Sequence, residues 1–227
     1  MEKLKKELKN LYMEMLNDEE ISSQIKEKNL TLMFCQKGDK FEGSNCKLMY
    51  VGRALNGWYS LDNDNIEEMY DSAIENIRKN TIKNMDGIRR SAFWQLCKAI
   101  LTKEKDSDGN WDSDWDEKIV WSNLLKIAPC EGGNPDWNII ANTIKKSFEI
   151  LKAEIEILEP KYVVLVVGKW IEFEGQTLMN DFGIEEIKDT FVIGKGTYKN
   201  STIIVTQRPE MRSGTREEQA DEIIRAF

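Results

Sequence analysis

Histidine does not occur anywhere in this 227-residue sequence, and its absence removes several classes of chemistry at once. Without imidazole there is no Ser-His-Asp or Cys-His nucleophile system, no histidine general base and no histidine-ligated metal. Cysteine is sparse as well: the four, at 35, 46, 97 and 130, include no C-x-x-C pair. Metal and cluster sites draw on closely spaced ligand pairs, and disulfide scaffolds on dense cysteines in a short secreted chain. Reduced thiols in a cytoplasmic protein are expected, with no metal and no cofactor. No stretch approaches the roughly 20 apolar residues needed to span a bilayer. The opening MEKLKKELKN lacks the apolar centre of a signal peptide. No membrane partner is expected. Positive charge is in deficit, 32 Lys and Arg against 40 Asp and Glu, which leaves a net charge of −8. That balance works against indiscriminate binding to nucleic acid and still permits a local basic groove. Chemistry is left to carboxylates, amides, lysine, tyrosine, cysteine and the backbone.

What is present reads as one α/β domain. Apolar residues make up 41% and charged residues 32%, a globular composition. Leu4, Leu8, Leu11, Met15 and Leu16 recur at helical spacing, so residues 2–17 are predicted to form an amphipathic helix; a second short helix over 21–28 completes an N-terminal helical extension of about 1–30. Leu30–Phe34 reads as a small edge strand and 36–45 as a polar loop. Helices are predicted over 62–80, 89–102, 136–158, 169–180 and 215–227, and strands over 48–51, 119–127, 161–167, 191–196 and 202–206. Pro160 stops the long helix. The run KYVVLVV is continuous and β-branched, as a central parallel strand covered on both faces should be. Alternating strands and helices predict a three-layer α/β/α sandwich around a central, mostly parallel four-stranded sheet. The segment 103–118, KEKDSDGNWDSDWDEK, fits a calcium loop at several positions, but the glycine that the loop requires falls on Trp111. A solvated acidic loop anchored by Trp111 and Trp115 is the expectation there.

Three strands run into punctuated polar loops. VGRALNGW follows the first, Ser122–Pro129 closes the second, and QRPEMRS follows the last. Ligands in open α/β sheets gather beyond the carboxyl ends of the strands, so a common cleft is expected if these strands are neighbours. This trio resembles the uracil-DNA glycosylase superfamily over roughly residues 45 to 215. VGRALNGW is similar to its glycine-led first loop. Trp121–Pro129, WSNLLKIAP, is similar to its T-N-x-x-K-x-x-P strand, and VTQRPEMR to its late H-P-S segment followed by arginine.

The resemblance implies a base or nucleotide held in a local cleft, in a nucleic acid or free. Asn123 would read the base, since an amide donates and accepts at once. Trp58 would stack on the base, and Gly52, Arg53, Gly57 and Arg212 would line the site. Arg208 stands where the family's histidine steadies the departing base anion; arginine supplies the charge but no labile proton. Arg53 and Ala54 stand nearest to where a carboxylate or asparagine orients water, leaving Asn56 as the candidate for that role. Two functions are therefore expected: an N-glycosidic-bond hydrolase acting on a modified or damaged base, or a glycosylase-like binding module that has lost catalysis.

Overall fold

A computed structural model describes residues 2–54, 68, 70–71, 91–102, 115–173, 176–209 and 215–227. Two helices open the chain, α1 (Glu2–Leu16) and α2 (Glu19–Lys28). Leu4, Leu8, Tyr12, Met15 and Leu16 of α1 are buried. Tyr12 occupies the inward stripe where the sequence suggested Leu11, because its hydroxyl finds a partner, donating to the Met33 carbonyl at 2.7 Å. Strand β1 (Leu30–Leu32) pairs antiparallel with β5 (Ile127–Pro129) as a small separate sheet.

The main sheet is larger than the four strands expected. Among the described residues it has seven and is mixed, in the order β2 (Gln36–Lys37), β4 (Ile119–Asn123), β3 (Leu48–Gly52), β6 (Tyr162–Val166), β11 (Ser201–Thr206), β10 (Val192–Tyr198), β9 (Glu185–Glu186). The pairs β3–β4, β3–β6 and β6–β11 are parallel, whereas β2–β4, β10–β11 and β9–β10 are antiparallel. Strands β2 and β9 have two residues each and carry no readable period, which is why 36–45 passes for a plain loop. The central place of the 161–167 run holds, with β6 between β3 and β11.

Two further expectations need correction. The segment 169–180 is not one helix: a short 3-10 turn over Gly168–Ile171 leads into β7 (Glu172–Phe173), which pairs antiparallel with β8 (Gln176–Thr177). The sequence Ile171-Glu172-Phe173-Glu174 alternates with period two, a strand pattern rather than a helical one. The strand predicted over 119–127 breaks at Asn123, turns through Leu124–Lys126, and resumes as β5. Of the predicted helix 62–80, only Glu68, Tyr70 and Asp71 lie among the described residues, all helical. Residues 103–114, most of the acidic segment, lie outside them, while Trp115 beyond is buried as an anchor should be.

Helix α3 (Ala92–Thr102) and helix α4 (Trp137–Leu158) meet opposite faces of the sheet. Tyr50 and Trp121 are register partners on one face, where Phe93 and Trp94 of α3 pack on them at ring-centroid distances of 4.5 and 4.9 Å. Ser122 points the other way and bonds Glu154 of α4 at 2.7 Å. Helix α5 (Arg216–Arg225) packs with α3. No helix among the described residues is long and apolar enough to cross a membrane.

Candidate functional site

The carboxyl ends of the parallel strands β4, β3, β6 and β11 lie side by side on one edge. The second strand lies to one side of the first, and the third and fourth lie to the other, so strand order reverses next to β3. Crevices open at such reversals because successive connections leave the sheet in opposite directions.

Gly52 and Asn123 end their strands as direct register partners. The ladder continues past them: the Leu124 amide donates to the Gly52 carbonyl at 2.8 Å and the Leu125 amide to the Arg53 carbonyl at 2.9 Å. Asn123 is buried, and its Oδ1 sits over the α-carbon of Gly52, where a β-carbon would fall well inside contact distance. The same β-carbon would meet the Phe93 ring at 3.2 Å. Gly52, Asn123 and Phe93 thus form one corner, with an amide beside the edge of an aromatic ring. An amide in that position can donate to one ring atom of a ligand and accept from the next. Phe93 is half-buried, packed against the core, and shares this corner.

Arg208 follows the end of β11 by two residues and is half-buried, as is Arg53. It lies on the same edge as Asn123, three strand positions away, or about 14 Å at ~4.8 Å per strand. Its segment is held from below. The Gln219 side chain on α5 donates to Thr206 Oγ1 at 2.9 Å and to the Gln207 carbonyl at 2.8 Å. Glu222, one turn on, accepts from the Phe191 amide at 2.6 Å. Asn56, Gly57, Trp58 and Arg212 lie outside the described residues.

Behind Asn123, on the opposite face, stands a charged cluster with no solvent access. Lys126 and Glu154 are both 0% exposed. The Lys126 ammonium donates to both Glu154 carboxylate oxygens and to Ser122 Oγ, each at 2.8 Å. The ammonium thereby ties residue 126 back to residue 122 and closes the turn that follows Asn123. The Lys126 amide donates to Ser147 Oγ at 3.2 Å, and its carbonyl accepts from the Met33 amide at 2.7 Å. Burial holds the Tyr12 phenol and the Cys35 thiol well above their ordinary pKa values, and the neighbouring Glu154 charge pushes both further up. Both groups therefore stay neutral beside the ion pair. The sequence carried a signal for this cluster: one lysine inside the apolar run LLKIAP and one glutamate on the apolar stripe of α4, of opposite sign.

Gly168 and Lys169, between the Gly52 and Arg208 segments, were not singled out from the sequence either; they follow β6 at the reversal point. Among the described residues no cluster of cysteine, aspartate and glutamate side chains could hold a metal ion. No protein-family model matches the chain, and no curated protein matches it.

Proposed function

We propose that this chain is a uracil-DNA glycosylase-like protein, a three-layer α/β/α arrangement built on the four parallel strands. In this reading it binds a base or nucleotide at their carboxyl edge and hydrolyses the N-glycosidic bond of a modified or damaged base, in DNA repair within the cytoplasm. One observation carries the proposal: Asn123 is seated across Gly52 beside Phe93, backed by the buried Lys126–Glu154 pair. A fixed amide at a strand end can read the hydrogen-bonding edge of a flipped base, and an adjoining aromatic ring gives its face a surface to pack on. Arg208 supplies positive charge toward the leaving base. Its fixed charge suits an anion that departs without being protonated.

A second reading has its own support. Arg53 and Ala54 follow Gly52 directly, so the first two loop positions carry neither a carboxylate nor an amide to accept from and orient an attacking water. On that reading the protein binds its base without cutting it. Single-turnover incubation with oligonucleotides bearing deaminated, oxidised and alkylated bases separates the two. The hydrolase reading expects base release from at least one substrate, reduced at least 100-fold in Asn123→Ala and in Arg208→Gln. Binding without release, weakened about tenfold in Asn123→Ala, favours the second reading. Absence of both binding and release defeats the two together.

A further inference from the structure

We propose that the same edge carries a phosphate-binding row of Arg53, Lys169 and Arg208, and that the ligand is a nucleoside phosphate rather than a neutral base or nucleoside. This rests on the reading above only for the base-bearing half of the ligand. Three neighbouring parallel strands each hand over to a cation within three residues of their carboxyl ends. β3 ends at Gly52 before Arg53, β6 at Val166 before Lys169, and β11 at Thr206 before Arg208. β3 pairs with β6 and β6 with β11. The three cations therefore follow adjacent strand ends in a row of about 10 Å, two strand spacings of ~4.8 Å. In a chain of net charge −8 this row runs against the overall sign.

The backbone makes a second, independent observation. Gly168 has φ +61, and apart from its own chain neighbours no described residue comes within 4 Å of where its β-carbon would stand. A left-handed glycine that leaves this space open among the described residues, next to Lys169, lets an anion approach the main-chain N–H groups closely. It also lies beside the strand-order reversal, where open α/β sheets hold ligands. Arginine offers phosphate a pair of donors and lysine a point charge, so the row fits a chain of phosphate groups and gives little to an uncharged nucleoside. The negative chain as a whole disfavours a long duplex, whose affinity accumulates over many phosphate contacts, and favours a short ligand.

Calorimetric titration of the intact chain tests this with five probes: the natural nucleosides, their 5′-monophosphates, their 5′-triphosphates, inorganic triphosphate and a short single-stranded oligonucleotide. The expected result is a triphosphate bound at least tenfold more tightly than its parent nucleoside, with the gap narrowing as salt rises. Lys169 is exposed, so Lys169→Gln should keep the wild-type melting temperature. It should lose roughly tenfold in triphosphate affinity, leave nucleoside affinity unchanged, and be rescued by Lys169→Arg. Arg53→Gln should behave likewise toward triphosphate. Equal affinity for nucleoside and triphosphate overturns the phosphate row and leaves the base site standing. Inorganic triphosphate bound as tightly as every nucleotide supports the row and overturns the base site. An oligonucleotide bound in preference to every mononucleotide, or no binding by any phosphate, overturns the proposal.

Discussion

Gly52 shapes the candidate site by what it lacks. Asn123 Oδ1 and the Phe93 ring occupy the space a β-carbon would take. Gly52→Ala should therefore move Asn123 rather than unfold the sheet. Overpacking of this kind costs about 1–3 kcal/mol. The chain should melt a few degrees lower in thermal denaturation, while ligand binding at the edge falls by far more than that loss explains. A melting temperature and an affinity both equal to wild type would show that Asn123 does not depend on this contact. Lys126 and Glu154 act at the same scale from the other face. Lys126→Met strands a buried carboxylate and should cost about 3–5 kcal/mol, whereas Lys126→Met with Glu154→Leu should recover most of it. Denaturant unfolding of the two single variants and the double variant measures the coupling, and additive losses would rule out a direct ion pair.

At the scale of elements, α4 shows how local chemistry places a long helix. Asp136 caps its start, accepting from the Ile139 amide at 3.0 Å, and also pairs with Lys28 of α2 at 2.7 Å. The chain leaves the helix through Glu159 in a left-handed conformation, immediately before Pro160. The Lys28 hydrogen bond, then the Ile139 amide, hold the Asp136 carboxyl below the usual aspartate range. A folded-state pKa below the unfolded one adds stability that is fully present above the ordinary aspartate value. That stability disappears as pH falls through the lower folded value. Asp136→Ala should lose about 1 kcal/mol near neutral pH, mostly the cap. Asp136→Asn, which can still cap, should lose less. The gap between wild type and either variant should shrink as acid protonates Asp136, and thermal melts between pH 7 and pH 2 read it directly. The corrected segment after β6 belongs to this scale too. Its alternating Ile171–Glu174 pattern was legible as strand, but the preceding glycine and the short elements gave it no length over which a period could assert itself.

At the scale of the molecule, the N-terminal helices share the core of the sheet. Leu4, Leu8, Tyr12, Met15 and Leu16 belong to the same buried cluster as Ile144, Phe148 and Leu151 of α4. Tyr70 reaches back to donate to the Lys5 carbonyl at 2.7 Å. Removing residues 1–28 should expose that apolar face of α4 and forfeit on the order of 10 kcal/mol of burial, as much as a domain's whole stability. The truncated chain should show no cooperative thermal transition. A sharp melt near the wild-type temperature would instead mark residues 1–28 as a separable extension.

Taken alone, the sequence was enough for the α/β class, the five helices other than 62–80 and 169–180, the central β6, and the arginine segment that follows the last strand. Those features rest on local periods, caps and turn residues, which act over a few neighbouring positions. Asn56, Gly57, Trp58 and Arg212 had motif support only, and they lie outside the described residues. The tertiary structure alone decided the seven-strand mixed order, the Gly52–Asn123–Phe93 corner and the union of Lys126 with Glu154, 28 residues apart. These are long-range pairings, and strand order and the burial of opposite charges against each other leave no local period to read.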